Sequence, residues 1–146
     1  MPLMAALCPC KLYLSSAVKN GKLALKNEHR RRIRTKQNSK VLASVDFDDA
    51  TRPQFPEHAR WDYLLEVKVA NAPAKIIAVE FHSVDFSRLL KKHKESKEIL
   101  VSECDPVPQI SEWILISEGN TGGIALMERR KLNQKGITTA GRALEI

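Results

Sequence analysis

The chain is poor in the features that usually announce a function. It has no paired C-x-x-C for zinc, and although Cys8-x-Cys10 could in principle bind a metal, free thiols are the favoured reading. It has no GK[ST] after its one glycine cluster, Gly119-Asn120-Thr121-Gly122-Gly123, so that cluster reads as a turn between strands and not as a phosphate loop. Its serines fall in no nucleophile-elbow pattern. No apolar run approaches the roughly twenty residues needed to cross a bilayer. Residues 1–10 lack a basic n-region, so no secretory signal is expected. The cysteines, Cys8, Cys10 and Cys104, are an odd set and read as free thiols in a reducing compartment, with a cytoplasmic location to match.

What is present is the length of one ordinary domain, 146 residues, with a net charge of +7. The charge is uneven. Residues 1–45 carry ten Lys/Arg against the single acid Glu28, whereas the remainder carries fourteen against sixteen, so the basicity belongs to the leading segment. The run Arg30-Arg31-Arg32-Ile33-Arg34 has too little apolar pattern to pack, and reads as a solvated arm or, more sharply, as a grip on phosphate. Residues 1–40 are accordingly expected to be a flexible extension and 41–146 the folded domain. DNA or RNA is the expected partner, and no membrane.

From Val41 onward the pattern is that of an α/β (α+β) domain with one mixed central sheet. Val41–Val45 reads as a strand, and Asp46 to Ala50 opens a short helix. Two runs at about 60–70 and 75–82, separated by Asn71-Ala72-Pro73-Ala74, form a β-hairpin. A principal amphipathic helix follows at about 85–101, with Phe86, Leu89, Leu90, His93, Leu100 and Val101 at helical spacing and Lys91–Glu95 and Lys94–Glu98 on its wet side. Further strands are expected at about 112–117 and 124–127, a short helix at 128–134 closed by Gly136, and an edge strand at 142–146.

One constellation is site-like. Glu80 ends the run Ile76-Ile77-Ala78-Val79-Glu80-Phe81, in a strand otherwise built for burial, and a desolvated carboxylate is costly unless paired or bound to a cation. Period-two alternation puts Glu80 and His82 on one face. The hairpin brings Asp62 alongside His82, on the same face only if the connection between the strands has an odd number of residues. Asp62 and Glu80, with Asp46 as a further carboxylate, suit Mg²⁺ or Mn²⁺, and His82 suits a base or third ligand. No organic cofactor is expected. The competing reading is a non-catalytic interaction module in which Glu80 pairs with a core cation such as Lys68 or Arg88. The discriminator is geometric: a buried Glu80 paired to a Lys or Arg favours the module.

At Asp62 and Glu80-x-His82 the chain resembles the PD-(D/E)XK nuclease superfamily, in which the Asp and Glu bind Mg²⁺ and a Lys assists water activation. His82 stands where that Lys is expected, and Trp61 replaces the Pro before Asp62. The resemblance spans about residues 41–117 and implies a metal-dependent nuclease-like activity on phosphodiesters. The chain is also similar to a group of uncharacterised bacterial proteins in Ser44-Val45-Asp46-Phe47-Asp48, Arg60-Trp61-Asp62-Tyr63 and Val79-Glu80-Phe81-His82, which implies a shared fold and no particular activity.

Overall fold

A computed structural model describes residues 4–81, 85–117 and 126–146. Its frame is a mixed six-stranded sheet in the order β1-β3-β4-β5-β6-β7. β1 is Lys19–Asn20, β3 Ser39–Asp46, β4 Tyr63–Val69, β5 Lys75–Phe81, β6 Ile110–Ile116 and β7 Ile137–Thr139. Pairing is antiparallel from β1 through β5. It becomes parallel from β5 to β6 and from β6 to β7. The change of direction follows from the connections. A five-residue link, 70–74, permits only a hairpin, whereas helices α4 (Phe86–Glu103) and α5 (Leu126–Gln134) carry the chain back for parallel pairing.

β5 is the central strand, and all of it beyond Lys75 is buried. Alternation divides its side chains between two cores. Ile76 and Ala78 join Leu64, Trp61, Trp113, Leu115 and the inner stripe of α4, Leu89, Ile99 and Leu100. Ile77, Val79 and Phe81 join Tyr63, Leu65, Val67, Ile114 and Ile116 on the opposite face. The α4 stripe is amphipathic but not purely apolar: Lys92, His93 and Ser96 are also buried, whereas Val101, expected in the stripe, is exposed. Of the acids expected on its wet side, Glu95 turns inward and accepts the amide of Ala59 at 2.7 Å. Asp85 caps the helix, its carboxylate accepting the Arg88 amide at 3.2 Å.

The leading segment departs from expectation. Residues 4–40 are packed on the sheet and are not a free arm. Met4, Leu7 and Leu14 are buried against the α4 core, and Leu25 and Ile33 against the other. The short helix α1 (Leu12–Ser15) leads into β1, which adds to the edge of the sheet beside β3. Two further elements, α2 (Asn27–Arg30) and β2 (Ile33–Arg34), follow, and β2 pairs in parallel with β8 (Leu144–Glu145) as a separate two-stranded sheet. The reason is apolar spacing too sparse to read locally: single large residues, each buried by a partner distant in sequence.

Two more corrections concern the cysteines and the second half of the chain. Cys10 and Cys104 form a disulfide across 94 residues, so only Cys8 is a free thiol. The bond ties the N-terminal segment to the end of α4, where Lys11 pairs with Glu103 at 3.0 Å and the Tyr13 hydroxyl donates to the same carboxylate at 2.7 Å. Leu126 and Met127, expected in a return strand, open helix α5, which Gly136 closes at φ +83°. The expected Gly119–Gly123 turn lies outside the described residues.

Candidate functional site

The hairpin register decides whether the candidate residues can meet. Tyr63 pairs with Val79 and Leu64 with Ala78, and the connection is odd, as a shared face requires. Continuing the register by one step sets Asp62 opposite Glu80, one pair short of the expected position beside His82. The two acids are locked by reciprocal contacts: the Asp62 amide donates to Glu80 Oε1 at 3.0 Å, and the Phe81 amide donates to Asp62 Oδ2 at 2.9 Å. His82 lies outside the described residues.

Glu80 does not have the expected cation as its partner. Lys68 donates instead to the carbonyls of Ala70 and Ala72 at the hairpin turn. The cation is Lys92 of α4, whose Nζ lies 2.5 Å from Glu80 Oε2. Glu80 is fully buried and Lys92 is 8% exposed. Burial pushes the Glu80 carboxyl up to about 8, the neighbouring Asp62 charge adds to the rise, and the Lys92 ammonium opposes it.

Asp46, expected as a further metal carboxylate, is committed elsewhere. It caps α3 (Phe47–Thr51), its Oδ1 accepting the Asp49 amide at 2.9 Å. Burial raises its carboxyl, and the charges of Asp49, Asp48 and Asp62 add to the rise against the Asp49 hydrogen bond. Asp48 pairs with Arg60 at 2.8 Å, fixing the approach to Trp61 and Asp62. Among the described residues, no group of three His, Cys, Asp or Glu side chains converges as a metal site.

The expected phosphate grip is divided. Arg30 donates to the carbonyls of Lys22, Leu25 and Leu23, closing its own loop. Arg32 donates to the carbonyls of Arg142 and Ser117 at 2.7 and 2.6 Å and lies over the Phe81 ring at 5.2 Å. Arg30 thus braces the leading segment internally, and Arg32 fastens that segment to the domain. Arg31 and Arg34 are exposed.

Residues that the sequence did not flag complete the cluster. Lys92 carried a signal, since it falls between Leu89 and Ser96 on the stripe that α4 must bury. His29 carried none. Its ring stacks on Phe81 at 4.2 Å and its Nδ1 is 2.7 Å from the Tyr63 hydroxyl. Burial lowers the His29 pKa, while the Asp62 charge works against that. The Tyr63 hydroxyl, also buried, is pushed up to about 12. The cluster thus joins three parts of the chain: residues 29–32 on one face of β5, Lys92 on the other, and Asp62 at its edge.

No protein-family profile, no curated protein and no solved structure matches the chain. No described helix is long and apolar enough to cross a membrane.

Proposed function

We propose that the chain is a non-catalytic interaction module in which Asp62, Glu80 and Lys92 form a buried polar network that fixes how α4 docks on the sheet. The observation that carries this reading is the state of Glu80, which is wholly buried with Oε1 engaged by the Asp62 amide and Oε2 by Lys92. Metal ligands must converge with open lone pairs about 2.0–2.6 Å from one ion. Here an ion must first break a buried ion pair, at a cost on the order of 3–5 kcal/mol. The partner we propose is DNA or RNA, on the strength of the net charge of +7 and of exposed cations such as Arg31, Arg34, Lys94 and Lys97. Electrophoretic mobility shifts with single- and double-stranded probes test this. Binding that weakens steeply with salt is expected, and no shift at low salt removes the partner.

A second reading, a Mg²⁺- or Mn²⁺-dependent nuclease-like domain, is favoured by one specific observation. The hairpin register places Asp62 against Glu80, and Lys92 brings to them the ammonium that is absent at position 82. In that reading Asp62 and Glu80 hold the ion, which would polarise a phosphodiester, and Lys92 or His82 handles the proton. Mn²⁺-dependent cleavage abolished by Glu80→Gln supports it, and cleavage unchanged in that variant removes it. The cytoplasmic location expected from free cysteines loses its support with the Cys10–Cys104 disulfide, and we propose an oxidising compartment, where such a bond persists.

A further inference from the structure

On the outer side of α4, away from Glu80, lies a cavity of about 350 Å³ lined by Leu90, His93, Lys94, Lys97 and Lys135. Among the described residues, three of the five that line it are lysines and none is an acid. The lysine side chains are exposed, whereas His93 is 6% exposed. The His93 ring is held edge-on by two tryptophans, with its centroid 4.8 Å from that of Trp113 and 6.2 Å from that of Trp61. Its Nε2 is buried and has no hydrogen-bond partner among the described residues. A buried imidazole nitrogen without a partner is unusual, because such groups are nearly always satisfied by protein, water or a ligand.

We propose that this cavity is an oxyanion pocket that takes a phosphate group, with Lys94, Lys97 and Lys135 supplying the charge and His93 the floor. The volume exceeds what a phosphate alone fills and leaves room for a small organic body against Leu90 and the lysine stems. The charge pattern fits an anion and not a cation, since among the described residues the charged groups facing His93 are Lys97 on its own helix and Lys135 just beyond α5, with the indoles of Trp61 and Trp113 on the sheet side. Burial and these two ammonium groups hold the imidazole neutral, its pKa pushed down to about 4. A neutral ring still donates from Nε2 in one tautomer, and an anion in the cavity selects that tautomer. The proposal names a ligand chemistry for the module and in that respect rests on it, yet the two fail separately.

Nitrogen-15 NMR of the full chain near pH 7 tests the pocket, following the His93 side chain and the amides around Lys94, Lys97 and Lys135. Three probes are added in turn: inorganic phosphate, adenosine monophosphate and a deoxythymidine oligomer of about eight nucleotides. The expected result is saturable shifts at these positions with the first two probes and a rise in the His93 pKa on binding. Affinity should fall at least tenfold in the double variant Lys97→Ala/Lys135→Ala, whose exposed sites leave folding untouched. Tighter binding of the oligomer at the same positions identifies nucleic-acid phosphates as the source, and binding of the monophosphates alone identifies a free phosphate ester and removes the nucleic-acid partner. The absence of a saturable shift with any probe overturns the pocket. So does equal affinity in the double variant.

Discussion

The two faces of β5 are covered by different kinds of structure. On one, Ile76, Ala78 and Glu80 meet α4, a single 18-residue helix that brings its own cation to the buried acid. On the other, Ile77, Val79 and Phe81 are covered by residues 22–34, which contain only one turn of helix and two residues of strand. The helical face is held by a regular stripe and one charged anchor. The irregular face is held by separate fastenings: His29 stacked on Phe81, Arg32 on two distant carbonyls, Arg30 on its own loop. Loss of one anchor should therefore be severe on the first face and graded on the second.

The largest effect is expected from Lys92→Met, which leaves Glu80 buried without its cation. Denaturant unfolding at about pH 9, above the raised Glu80 pKa, should show a loss of about 3–5 kcal/mol, largely recovered when Glu80→Gln is added, because the neutral side chain no longer strands a charge. A loss below about 1 kcal/mol would mean that water reaches Glu80 and that the helical face has no anchor. Next comes Cys10→Ser. Opening a link across 94 residues should cost about 2–4 kcal/mol in oxidised protein and nothing further on adding a reductant. On the irregular face, Tyr63→Phe removes the hydroxyl that contacts His29 and accepts the Lys26 amide, and a loss of only about 1 kcal/mol is expected. An effect as large as that of Lys92→Met would erase the contrast between the faces.

Two pH slopes sharpen the comparison further. Glu80 has a folded pKa above its ordinary value, so its contribution is fully present below about 4.5 and is lost as the pH rises toward about 8. His93 has a folded pKa below its ordinary value, so its contribution is present above about 6.5 and is lost as the pH falls toward about 4. Unfolding free energies across pH 4 to 9 should show an alkaline decline that Glu80→Gln removes and an acid decline that His93→Gln removes. At about 1.4 kcal/mol per pKa unit, each decline is expected to reach a few kcal/mol at most.

The frame of the fold was legible because its signals are periodic. The hairpin at 63–81, the helix after Asp85 and the strand near 112 all rest on runs whose alternation or spacing stands out locally. The leading segment was not legible, because Met4, Leu7, Leu14, Leu25 and Ile33 are isolated apolar residues that mean little until the sheet they cover exists. Leu126 and Met127 misled for a related reason. They are exposed on α5, and a short apolar run reads equally as strand or helix. In the site, hairpin arithmetic anticipated a shared face for an odd connection but set Asp62 beside His82, one pair from Glu80, and it gave no hint of the cation. Twelve residues separate Glu80 from Lys92, and only the docking of α4 brings them together. The disulfide was hidden in the same way, since 94 residues separate its cysteines.

The central claim is that the Asp62–Glu80–Lys92 network is structural. Its most direct test is Mn²⁺-dependent cleavage of mixed DNA and RNA substrates by the wild-type chain beside Glu80→Gln, both first shown to be folded. The account predicts no cleavage by the wild type above a metal-only blank. Mn²⁺-dependent cleavage by the wild type that disappears in Glu80→Gln would contradict it.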